Sequence, residues 1–166
     1  MAIGPVQMLI VGFDEPNFTG EIAAELKRLR ELDVVRLVDM LLVEKDDDGN
    51  VTAVQASGLS EDEATEFGAT VGALIGFGMD GEEGAEAGAY AGAEALEDGH
   101  LIDESEVWYV ADAIPTGTTA AVALLEHRWA IPLRDKILGA GGVVLADEWI
   151  HARDLIAVGI AAADEE

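Results

Sequence analysis

Residues 64–98 read ATEFGATVGALIGFGMDGEEGAEAGAYAGAEALED, and no other stretch says as much about how the chain is built. Gly68, Gly72 and Gly76 stand four apart, as do Gly84, Gly88 and Gly92, and Asp80 occupies the place where the beat would run on between them. Residues four apart stack along one ridge of a helix, so glycines there remove side chains and let a second backbone approach to contact. Glycine in a helix interior costs about 1 kcal/mol against alanine, and a run of such glycines is sustained only where close packing offsets that loss. The spacing therefore predicts two small-residue helices, broken at Met79-Asp80-Gly81 and folded into an antiparallel hairpin. Their grooved faces meet each other or the same faces of a second subunit.

Two other readings of this stretch fail on chemistry. The longest uncharged run, 67–79, has thirteen residues, against roughly 20 needed to span a bilayer. The following half carries Glu82, Glu83, Glu86 and Glu94, which are costly in lipid. A phosphate-cradling loop would need a Gly-Lys-Ser or Gly-Lys-Thr ending or a short glycine fingerprint between strand and helix. The segment has no lysine at all.

Outward from the hairpin, the chain reads as one domain of 166 residues, half of them hydrophobic, with an insertion. Thirty-four acidic side chains against nine basic ones leave a formal charge of −25, so nucleic acid and anionic membrane surfaces are disfavoured partners. The acids are spread over many short stretches, as in a solvated acidic shell; adaptation to salt and genomic composition bias explain this equally well. The absence of cysteine excludes disulfides, thiolate metal sites and cysteine nucleophiles. Met1-Ala2-Ile3-Gly4-Pro5 has neither a basic region nor a long apolar run, so a cytoplasmic location is expected by default.

The first 57 residues read as a βαβ unit with a hairpin. Residues 6–13 form an apolar strand ended by Asp14-Glu15-Pro16-Asn17, and Thr19 is placed to cap a helix with Ile22, Leu26 and Leu29 on one face. Residues 34–43 and 51–54 are two strands joined across Asp46-Asp47-Asp48-Gly49-Asn50. That aspartate cluster is read as a turn: counted from Asp46, the sixth and twelfth positions of a calcium loop hold Val51 and Ser57, where glycine and glutamate are required.

Residues 60–98 are the inserted hairpin, and 103–160 read as helix, strand, helix, strand, helix. The pieces are a capped helix over 104–113, although Val107-Trp108-Tyr109-Val110 within it also suits a strand, then a strand at 118–125, a helix at 130–138 ended by Gly141-Gly142, a strand at 143–146 and a helical turn at 154–158. Two βαβ units facing each other make an α+β, ferredoxin-like sheet with covering helices.

Candidate chemistry is thin. His100, His127 and His151 are the only imidazoles, each near a carboxylate in sequence: Asp98, Glu126, and Glu148 with Asp154. No two share a metal-binding spacing. Glu126-His127-Arg128-Trp129 and Asp147-Glu148-Trp149 mark His127, Trp129 and Trp149 as an interface or a pocket rim. No nucleophile elbow is present, and Ser57, Ser60 and Ser105 sit in turn or cap contexts. No catalytic residue, cofactor or metal is expected.

The stretches GPVQMLIVGFDEPNF (4–18) and TAAVALLEHRWAIPLRDKILGAGGVVLADEW (119–149) resemble an uncharacterised bacterial family of small proteins with a glycine-rich central segment. Its members carry the labels hypothetical or predicted membrane protein. The resemblance covers nearly the whole chain; it implies the helix at 104–113 and the strand at 118–125, and brings no activity. The expected function is that of a structural or assembly protein, forming a homo-oligomer through a sheet face or the glycine helices. The alternatives are a small-molecule or metal-binding regulatory module around His127 and a peripheral membrane protein.

Overall fold

The computed structural model describes residues 3–14, 18–96, 100–103, 105–151 and 154. Two compact units divide the chain, Met1–Leu133 and Arg134–Glu166.

In the first unit the order is β1 (Val6–Phe13), α1 (Glu21–Glu31), β2 (Val35–Lys45), β3 (Val51–Ser57), α2 (Glu61–Ala95), α3 (Glu106–Ala113), β4 (Thr118–His127) and α4 (Ala130–Gly139), the boundary falling inside α4. The protein is α+β, with a four-stranded antiparallel sheet in the order β1-β4-β2-β3. Since each neighbour is antiparallel, β1 and β2 run parallel with β4 between them, and β3 and β4 run parallel with β2 between them. Two split β-α-β crossovers thus interleave.

This changes the expected second unit. The sequence reading paired a strand at 118–125 with one at 143–146; instead β4 takes β3 as its crossover mate. Residues 143–146 form no strand. Four apolar residues supply a pattern but no ladder, and a strand exists only by pairing. Nor is the glycine hairpin an insertion between units. Parallel strands need a long connection, and α2 with α3 is the connection from β3 to β4.

β2, VRLVDMLLVEK, is apolar on both faces, as an interior strand must be. A register shift at Leu37/Asp39 turns both Val38 and Asp39 to the helix-covered face. On that face lie two buried clusters: Leu41, Val43 and Val122 under α3, and Val38 with Leu59, Ala64 and Phe67 at the base of α2. The opposite face carries Leu9, Val11, Leu37, Met40, Leu42 and Leu125, and none of these is buried. α1 buries no residue either. It starts after Gly20 (φ 85), without a side-chain cap, so Thr19 is not the cap the sequence suggested.

The 46–50 segment is the expected turn: the Asp46 carboxylate accepts the backbone N–H groups of Asp48 and Asn50, and Gly49 takes φ 85.

In the second unit, α4 ends as Gly141 (φ 83) lets Gly142 N–H reach the Ile137 carbonyl at 2.8 Å. Residues 143–150 are neither helix nor strand. Of the helical turn expected at 154–158, all but Asp154 lies outside the described residues. Among the described residues no helix is long and apolar enough to cross a membrane.

Candidate functional site

Three features claim attention as sites: the glycine ridge, the polar knot at one end of the sheet, and a buried aspartate on β2.

Ser60 and Glu63 open α2 with a reciprocal capping box, satisfying two of the free N–H groups at its start. The helix folds back at Asp80 (φ −145) and Gly81 (φ 61), the latter a conformation that disfavours any side chain. The two arms, 61–79 and 82–95, are antiparallel, and the six glycines face one another in pairs symmetric about Asp80: Gly68 with Gly92, Gly72 with Gly88, Gly76 with Gly84. A Cβ built on Gly72 would overlap the Gly88 carbonyl and stand 3.0 Å from the Gly92 Cα. Each of the other five would likewise collide with the facing carbonyl. The ridge is therefore an intrachain contact between backbones. Its outer surface is another matter: Leu74, Ile75 and Phe77 are exposed, and Met79 is 82% exposed.

At the end of the sheet where β2 begins and β4 ends, Glu126 is fully buried. Arg36 Nη2 donates to it at 2.6 Å, Arg128 Nη1 at 2.9 Å and Gly4 N–H at 3.4 Å. Arg128 Nε also holds Asp33 at 2.8 Å, and these carboxylates raise the Arg128 pKa, Asp33 foremost. Arg30 grips Glu63 with Nη2 at 2.7 and 2.8 Å and the Gly58 carbonyl with Nη1. Glu63 is held well below the carboxylate range, at about 2, chiefly by the Ser60 backbone N–H and then by Arg30. Arg36 lies over the Phe67 ring at 5.9 Å. Arg30, Arg36 and Arg128 share a cleft of about 150 Å³ with Asp33 and Glu63. Each guanidinium there already has a carboxylate, so the knot is suited to tying α1, the base of α2 and β4 together.

His127 sits on the other face of β4, because successive strand residues point to opposite sides. This is why its sequence neighbour Glu126 is not its partner. Its Nε2 meets the Gln7 side-chain oxygen at 3.0 Å, and the Trp129 indole N–H donates to its Nδ1 at 3.2 Å. Those partners assign the neutral, Nε2-protonated tautomer, and burial pushes its pKa down in the same sense. Both ring nitrogens are engaged, which disfavours metal ligation. The structure thus brings His127 and Trp129 together, while Trp149 belongs to the second unit and is half exposed.

Asp39 is fully buried and accepts from Leu101 N–H at 2.7 Å, Ile102 N–H at 2.9 Å and Gln55 Nε2 at 3.2 Å. His100 Nδ1 lies 3.1 Å from its other oxygen. Asp98, the acidic neighbour of His100 in sequence, lies outside the described residues; the Asp39 contact joins His100 to a residue 61 positions away. One carboxylate thereby pins the segment leaving the hairpin onto β2. His151 donates its backbone N–H to Asp154 at 3.0 Å. Among the described residues no group of three or more histidines and acids is disposed to hold a metal ion.

Glu126 stands out in sequence as part of the polar 126–129 cluster, but its pairing with Arg36 does not, and Arg36, Asp39 and the capping box were not among the expected site residues. Their signals were nonetheless present: Ser60-x-x-Glu63 ahead of an apolar helix, and charges embedded in otherwise apolar strands. A charge in such a position is retained only when paired. No family model, curated protein or solved structure matches the chain.

Proposed function

We propose that this chain is a non-enzymatic assembly protein that associates with copies of itself through its sheet. The observation that carries the reading is the sheet face opposite the helices. It holds large apolar side chains from three adjacent strands, none of them buried, and Glu44 and the neutral His127 are the only ionisable side chains that its four strands contribute. In a chain of charge −25, so large a face with a single acid fits an interface better than it fits solvent.

We read the interleaved crossovers as a ferredoxin-like connectivity in which the first strand lies on an edge. The α2 hairpin is read as a glycine zipper closed within the chain, a stiff arm rather than the surface of association. The partner in this reading is a second copy, and nucleic acid is disfavoured by charge. Light scattering coupled to size exclusion at micromolar concentration tests it. A mass of two or more chains is expected; a single-chain mass would overturn the reading.

A further inference from the structure

β1 is an edge strand of unusual character. Its sequence, VQMLIVGF, contains no charge and no proline. Edge strands are ordinarily guarded by lysines, prolines or bulges because their unpaired backbone groups template further pairing. β1 has none of these: its register against β4 is unbroken from Val6 to Phe13, and no strand of the described residues lies on its other side. It is also bare on the face where helices cover β2 and β4, with Met8 63% and Ile10 62% exposed.

The backbone groups left open follow from the ladder. His127 N–H donates to the Pro5 carbonyl at 2.8 Å, so that pair is hydrogen-bonded. In an antiparallel ladder bonded and non-bonded pairs alternate, which assigns residues 7, 9, 11 and 13 to β4. Val6, Met8, Ile10 and Gly12 consequently aim their N–H and C=O groups away from the sheet. These four positions are symmetric about Leu9.

We propose that two copies pair through β1, antiparallel and with the twofold axis at Leu9, making one continuous eight-stranded sheet. In that register Met8 faces Ile10 of the partner subunit, Val6 faces Gly12 of the partner subunit, and all the outward groups of 6–12 are matched. This deepens the self-association reading and rests on it.

Charge selects the second copy of β1 over the other edge. β3 is also uncharged, but it lies between Asp46-Asp47-Asp48 at one end and Glu61-Asp62 at the other. Two β3 edges set antiparallel bring these acids together at both ends. A β1–β3 pairing sets Asp14 against the Asp46–48 turn. In the β1–β1 pairing Asp14 lies opposite Gly4 of the partner subunit, and no like charges meet.

The test uses the absence of native cysteine. In the proposed register Leu9 meets its own copy as a non-hydrogen-bonded pair, with Cα atoms about 4.5 Å apart, within disulfide reach. Val11 lies four residues from its own copy, about 13 Å, and out of reach. Mild oxidation of full-length Leu9→Cys should give at least about tenfold more reducible cross-linked dimer than Val11→Cys. Ile10→Pro should convert the assembly to smaller species with the circular dichroism spectrum kept, because that N–H is not used by β4.

If scattering shows an oligomer but Leu9→Cys cross-links no better than Val11→Cys, the β1 pairing is wrong and the self-association reading stands. A single-chain mass removes both.

Discussion

The helical hairpin and the sheet divide the work of burial in opposite ways. The hairpin has almost no large side chains on its inner surface, yet it is closed: glycine meets glycine across the arms, and the contact is complete within one chain. The sheet is rich in leucine, valine and methionine, yet only one face is shut. The segment that looks most like an interface is satisfied internally, and the segment that looks most like a core has a face and an edge to spare. Small residues allow backbones to close on each other without help, whereas large apolar side chains need a second layer.

The contrast between the closed and open faces of the sheet is tested most severely at the neighbours Asp39 and Met40. Asp39→Ala removes the acceptor of three backbone N–H groups (Met40, Leu101 and Ile102), the Gln55 amide and the His100 ring contact, from a carboxylate buried on the closed face. Urea denaturation should report a loss of about 3–5 kcal/mol. Met40→Ala, on the open face, should cost about 1 kcal/mol in dilute protein, since a half-exposed side chain returns little surface to water. Equal losses would mean that the second face is not open.

The closure of the hairpin predicts opposite signs for one substitution at two places in the same helix. At Gly72 an alanine collides with the Gly88 backbone, which cannot yield without separating the arms. Thermal melts should show a loss of about 1–3 kcal/mol from overpacking, exceeding the propensity gain of about 1 kcal/mol. At Gly78 nothing lies within 4 Å of the built Cβ, so alanine should stabilise by about 0.5–1 kcal/mol. Loss at both positions would remove the claim that the ridge alone is in contact.

The smallest effect concerns how the hairpin is moored. Glu63 links the base of α2 to Arg30 of α1, with a folded-state pKa lowered from the usual 4.5 to about 2. A lowered carboxyl pKa stabilises the fold above the unfolded value, and the contribution disappears as pH falls through 4.5 towards 2. With roughly a third of the side chain exposed, screening leaves about 1 kcal/mol of this. Glu63→Gln should flatten that part of the stability profile, as followed by denaturation at a series of pH values.

How far the fold was legible depended on how local its cause was. Each of the eight elements has its counterpart in periodicity and turn chemistry, with bounds shifted by a few residues, and the hairpin's break at Met79-Asp80-Gly81 follows from the interrupted beat. The strand at 143–146 shows the limit: Val143-Val144-Leu145-Ala146 has a strand's composition, but pairing is a property of two segments. The candidate sites divide in the same way. Glycine at every fourth place announces close contact, whereas the Asp39 carboxylate and the Glu126 knot also draw on partners as far as 61 to 122 residues away, which no local pattern encodes.

By itself, then, the sequence determined the helical hairpin, the acidic surface free of thiols and the apolar strands, because helix ridges, charge and alternation are set by residues a few positions apart. Only the tertiary structure decided that the glycines meet within the chain, that β3 and not a later segment is the crossover mate of β4, and that β1 lies uncharged at an open edge. Those outcomes turn on which segments come together in space, and backbone hydrogen bonds and packing complete that choice only after the chain has closed on itself.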